Sequence, residues 1–279
     1  MIHSQRVFWL DDGTLKDMSL ELNDRKLQSY VIDYKAASDY IYIGSEYPFN
    51  HRYFDVGVPN DVVSKASVDI WFAKAWEPAL DELDRTAVAG VSLAQDGIIQ
   101  WTTNRLKGWD IEQDSEDVTG LTGTVIYNFY WLRLSWSVNW KATTALNYVG
   151  HKFSKDDDLF AFYPDLKNTN LMAGFETGKT SWDEQHLDAS EIILRDLRKK
   201  GIIASRSQIL NYELFNLPSI HKTAEIIYQG MGKAYADLKL SASKAYDSAF
   251  DMKFFDLDKN VDARLNPAEK RQTIGFITR

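Results

Sequence analysis

Tyr130-Trp131-Leu132-Arg133-Leu134-Ser135-Trp136-Ser137-Val138-Asn139-Trp140 carries an apolar side chain at every even position, and from Arg133 onward a polar one at every odd position. A period of two marks a strand with one buried face, because successive side chains point to opposite sides of a sheet. Ala66, Val68, Ile70 and Phe72 alternate in the same way, with Ser67 and Asp69 between them. Residues 6–10, 40–43, 52–56, 98–101 and 144–149 are further strand candidates. Pro48-Phe49-Asn50, Pro59-Asn60-Asp61 and Asp96-Gly97 punctuate them with turn formers. Many short strands without interleaved helices predict an antiparallel β-sandwich over residues 1–150.

After that region the rhythm changes. Residues 151–180 are polar and irregular, with the run Asp156-Asp157-Asp158, and read as a linker or an excursion from the β domain. Ser181-Trp182-Asp183-Glu184 has capping-box spacing. Leu187, Ser190, Ile193, Leu194 and Leu197 then recur at helical spacing, and Lys199-Lys200-Gly201 supplies a cationic last turn and a glycine cap. Pro218 opens a second helix with Ile220, Ala224, Ile227, Met231, Ala234 and Leu238 on one face. Ala242, Ala245, Tyr246, Ala249 and Phe250 form the stripe of a third. The expected fold is α+β: an N-terminal antiparallel β-sandwich, a C-terminal α-helical bundle over 181–255, and an extended tail over 256–279.

Composition agrees with two differently built parts. At 279 residues the chain exceeds the usual single-domain size, and 44% hydrophobic with 26% charged residues can bury a core. Eight of the nine tryptophans lie before residue 141. No stretch approaches the roughly 18 apolar residues of a membrane span. The opening residues lack a basic flank and apolar run, so no signal peptide is expected. Cysteine is absent, which excludes disulfides, thiolate metal sites and cysteine nucleophiles. A net charge of -8 argues against a general nucleic-acid binder, which needs a basic surface to displace counterions.

Four patterns invite a chemical reading. Ala173-Gly174-Phe175-Glu176-Thr177-Gly178-Lys179-Thr180 fits a relaxed phosphate loop, but only Leu171-Met172 precedes it, flanked by Asn168, Thr169 and Asn170. A surface turn before a capped helix is the favoured reading, and nucleotide hydrolysis through Lys179 the weaker one. Asp256, Asp258, Asn260 and Asp262 alternate oxygen ligands as calcium loops do, yet Val261 stands where that loop needs glycine. A solvated acidic turn is favoured there. The five histidines (His3, His51, His151, His186 and His221) show no metal-binding spacing. Trp71, Trp76, Trp101 and Trp109 could stack on sugar rings, with Trp76 and Trp109 the better placed for exposure. Packing is favoured for all four. No catalytic residue, cofactor or metal is assigned.

Tyr40-Ile41-Tyr42-Ile43-Gly44-Ser45-Glu46-Tyr47-Pro48-Phe49-Asn50, Asp84-Arg85-Thr86, the run from Ser92 to Trp101 and the strand from Phe129 to Ser135 together resemble the β-sandwich of structural proteins from tailed-phage virions. Residues 191–203, 217–231 and 245–255, followed by an acidic turn and 275–279, look like the helical adaptor modules of phage head-to-tail connectors. This resemblance implies a virion protein, assembled in the host cytoplasm, that forms a homo-oligomeric ring, commonly of twelve subunits, between the portal and other neck or tail proteins. It also implies helices lining the channel through which genomic DNA passes without specific binding, and no membrane. Ala242, Ala245 and Ala249 would allow close packing between neighbours, and Ile274, Phe276 and Ile277 would dock on the portal. The alternative from another class is a carbohydrate-binding or adhesin module.

Overall fold

A computed structural model describes residues 5–25, 27–103 and 108–250, and the backbone of 254–255 and 272–273. The chain divides into two compact units, which part between Gly150 and His151.

The first unit is built of short antiparallel strands and one small α-helix. In chain order these are β1 (Gln5–Asp11), β2 (Thr14–Asp17), α1 (Ser19–Asn23), β3 (Tyr30–Val31), β4 (Tyr40–Ser45), β5 (His51–Val58) and β6 (Ala66–Phe72). There follow β7 (Ala75–Pro78), β8 (Leu80–Asp84), β9 (Gly97–Thr102), β10 (Ile111–Asp114), β11 (Tyr127–Trp136) and β12 (Ala145–Gly150). One sheet runs β2-β1-β4-β11-β6-β7, with β10 also paired to β11; the other runs β3-β12-β5-β9-β8. Every strand pairing is antiparallel.

A single apolar cluster draws on both sheets: Val7, Ile43, Val68, Leu132 and Leu134 from the first, Phe54, Ile99, Leu146 and Val149 from the second. Burial along β6 follows the expected alternation as far as Ile70, with Ala66, Val68 and Ile70 buried and Ser67 exposed, and then departs from it: Trp71 is buried and Phe72 only half-buried. On β11 the pattern is richer than period two predicts. Leu132, Leu134 and Trp136 face the shared core, while Phe129 and Trp131 join Phe8, Tyr42 and Trp71 in a second cluster. Val118, Leu121 and the half-buried Ile126 close over that second layer from the segment between β10 and β11. The strand also ends at Trp136: Val138 is exposed, and Trp140 returns to the core, stacked on Tyr34.

The second unit is helical. It contains α2 (Asp156–Phe162), α3 (Thr169–Phe175), α4 (Asp183–Lys199), α5 (Asn216–Gly230) and α6 (Ala236–Phe250). The linker expected over 151–180 therefore carries two helices, and Leu159, Leu166 and Met172 pack with Trp182, Ile220 and Ile227. Only Phe153, Leu159, Leu166 and Met172 of its apolar residues are buried, and they recur with no regular period, so the sequence concealed its order. The capping box at Ser181 does not form. α4 begins at Asp183, and Ser181 hydrogen-bonds the Asp183 carboxyl group instead.

Leu187, Ser190, Ile193, Leu194 and Leu197 form the buried stripe of α4. Its end is a Schellman turn: Gly201 N–H donates to the Arg198 carbonyl and Ile202 N–H to that of Leu197, with Gly201 at φ +69°. The second helix is shorter than its stripe suggested. α5 stops at Gly230, the chain reverses at Gly232 (φ +85°), and Leu238 belongs to α6, where it is exposed. α6 packs along α5 and buries Ala242, Tyr246 and Phe250.

Candidate functional site

Helix α4 carries polar side chains on its buried stripe, and these gather a Ser–His–Asp constellation. His186 is fully buried. Its Nδ1 lies 2.7 Å from Ser154 Oγ, and its Nε2 lies 3.2 Å from Asp156 Oδ1. Ser154 Oγ is in turn 2.7 Å from Ser219 Oγ on α5, and Thr223 Oγ1, one turn further along, stands 3.3 Å from Nδ1. The same Asp156 carboxylate accepts the Trp182 amide, at 3.2 Å to each oxygen. Beside this group Lys152, nearly buried, pairs with Asp183 at 2.5 Å.

The electrostatics follow from burial. Desolvation pushes His186 below its ordinary pKa against the pull of the Asp156 carboxylate, so its ring is neutral near pH 7. Burial alone would raise Asp183, but the Lys152 ammonium outweighs it and holds the carboxyl below its usual value.

A serine, a histidine and an aspartate in hydrogen-bond sequence are the parts of a nucleophilic triad. Here the hydroxyl is covered, with Ser154 and Ser219 both buried. A substrate carbonyl could not reach it without the unit opening, and as folded the arrangement joins the segment at Ser154 to α2, α4 and α5. An open groove of about 480 Å³ lies elsewhere, in the β unit, lined by Arg6, Phe8, Leu15, Asp17 and residues 122–126. It contains no histidine.

The other sequence candidates separate. The phosphate-loop pattern has no strand before it: α3 runs through Gly174, and Lys179 is covered, with its ammonium 3.4 Å from Glu176 and 3.2 Å from Glu184. Trp71, Trp101 and Trp109 are buried, and the Trp109 indole donates to the Trp131 carbonyl. Trp76 is half-buried, donates to the Thr119 carbonyl and packs against Tyr42 and Trp71. Among the alanines of the third stripe, Ala242 is interior, while Ala245 and Ala249 are half-buried. The oxygen-bearing residues Asp256, Asp258, Asn260 and Asp262, and the tail residues Ile274, Phe276 and Ile277, lie outside the described residues. Among the described residues no cluster of three or more histidine and acidic side chains could hold a metal ion, and no helix is long and apolar enough to cross a membrane.

The His186 network escaped sequence reading because Ser154, His186 and Ser219 are 32 and 33 residues apart in turn. The available signal was a histidine and a serine, His186 and Ser190, beside the apolar stripe of a helix, where a buried polar group demands a partner.

Comparison with protein-family models, with curated proteins and with solved structures finds no match to this chain.

Proposed function

We propose that the chain is a structural virion protein that works by assembly rather than catalysis, forming a homo-oligomeric ring in the head-to-tail region of a tailed phage. The observation that carries this reading is where the helical unit puts its side chains. It keeps Ser154, His186 and Ser219 inside, with Asp156 half-buried beside them, and turns Phe162, Leu217, Leu238 and Leu240 toward solvent. On this proposal the exposed apolar groups are the ones that meet another protein, whereas the buried hydroxyls are out of a substrate's reach. In this reading the two sheets close as a sandwich around their shared core, and α4, α5 and α6 form the adaptor bundle. Because Ala242 is occupied within the chain, Ala245 and Ala249 remain as the close-packing positions between neighbours. The acidic balance suits a conduit, since negative walls repel DNA phosphates and let the duplex slide.

Sedimentation and electron microscopy of the full-length chain, alone and with a tailed-phage portal protein, test it. Closed rings are expected, lost on deleting residues 267–279 or on Leu238→Asp with Leu240→Asp. A monomer at every concentration, with and without the portal, refutes the proposal.

A further inference from the structure

We propose that His186 is a proton-operated latch of the helical unit: its neutral ring ties α2, α4 and α5 together, and uptake of a proton releases them. The argument rests on which atom can donate to which. Asp156 is an acceptor, so the hydrogen of the neutral ring sits on Nε2 and points at its carboxylate. Nδ1 is then a lone pair and accepts from the Ser154 hydroxyl, which itself accepts from Ser219 on α5. The Thr223 hydroxyl spends its only hydrogen on the Ser219 carbonyl at 2.8 Å, so it offers Nδ1 a lone pair. One imidazole thus closes a directed chain through three helices and the extended segment at Ser154.

A proton on Nδ1 breaks that direction. Ser154 must turn its hydrogen away from the ring toward Ser219, and Ser219 must find a new acceptor. The charges around the ring do not compensate. Lys152 faces it from the extended segment and Asp183 from α4, and each neutralises the other at 2.5 Å. Asp156 on α2 already accepts from Nε2 and from the Trp182 amide. α5 presents only the hydroxyls of Ser219 and Thr223, and Thr223, 3.3 Å away, is a neutral acceptor for a protonated Nδ1 and no counter-ion. A buried cation with one committed counter-ion is costly, and burial depresses the pKa of His186 accordingly. The ring gains its proton by reaching water, which requires α2, α4 and α5 to part.

The sign follows. The closed state holds His186 below the value of about 6.5 of a free histidine, so the latch is fully engaged above that pH and weakens below it. Each unit of acidification below about 6.5 raises the opening equilibrium by up to about tenfold, until the folded-state value is reached. Nothing in the latch depends on the assembly role.

Hydrogen exchange of the full-length chain, read by mass spectrometry and corrected for intrinsic rates, measures the opening directly. Between about pH 7.5 and about pH 5, peptides from α4 and α5 are expected to lose protection together. In His186→Gln the loss in α4 is expected to fall by most of its size, because the amide still bridges Asp156 and Ser154 but takes up no proton, while His221 on α5, also depressed by burial, keeps its own acid response. Protection that does not change with pH in the native chain, or an equal acid response in His186→Gln, overturns the latch. Should His186→Gln fail to fold, the ring of His186 is titrated by NMR in the native chain, assigned with variants of the other histidines. A value below about 6.5 is expected, and one at or above it overturns the proposal.

Discussion

Gly44 offers the sharpest test of the second aromatic layer. A Cβ built on this residue lies 2.5 Å, 2.7 Å and 2.7 Å from three ring carbons of Trp131, where ordinary contact begins near 3.4 Å. Gly44→Ala therefore asks the indole to retreat by almost 1 Å. The ring has nowhere to go: Trp131 is fully buried, with Phe8 and Phe129 at centroid distances of 6.1 and 5.8 Å. Overpacking of this kind costs about 1–3 kcal/mol, and a rigid neighbour places the cost at the upper end. Alanine returns about 0.5–1 kcal/mol by restricting the unfolded chain, since Gly44 does not use the left-handed backbone region. The net loss is about 2 kcal/mol, or roughly 4–8 °C in Tm for a unit of this size. Calorimetry is the assay, because two units can unfold separately. In a Trp131→Leu background the same substitution is expected to cost at least about 1 kcal/mol less, a coupling that a double-mutant cycle resolves. A loss below about 0.5 kcal/mol, or an equal loss in both backgrounds, refutes the close approach of ring and backbone.

Other outcomes follow from the same structure. Burial, and then the Arg52 guanidinium beside it, depress the pKa of His51 to about 3. That group contributes stability fully above the unfolded value of about 6.5 and loses it as pH falls toward 3, so the β unit loses about 2 kcal/mol between pH 6.5 and 5; His51→Gln should flatten this slope in calorimetry. Asp84 accepts from the Thr86 amide and hydroxyl and from Ser92, whose oxygen takes the Trp136 indole. Asp84→Ala should cost about 1–3 kcal/mol by leaving these donors unmatched, measured by chemical denaturation. Lys179→Met, which keeps the covered stem beside Phe175 and Trp182, should cost no more than about 1 kcal/mol, since Glu176 and Glu184 are well exposed and screened; magnesium ATP should shift the Tm of neither form.

What the residues alone determined is local and periodic. Two-step alternation over 66–72 and 132–136 located strands, and the Leu187–Leu197 stripe with Lys200-Gly201 located a helix and its end. Both signals report the geometry of one element, which neighbouring side chains in the chain already express. The tertiary structure decided which surfaces were covered. Trp131 stands on the face that alternation marks as outward, and becomes core because residues 118–126 fold over it. Residues 151–180 looked too polar for order, yet Leu159, Leu166 and Met172 each find a buried partner contributed from beyond residue 180. His186 is the clearest case. Its type and place on α4 were visible, but its role depends on hydroxyls from residues 154 and 219 and a carboxylate from 156, and hydrogen bonds between segments leave no periodic trace in the segments that make them.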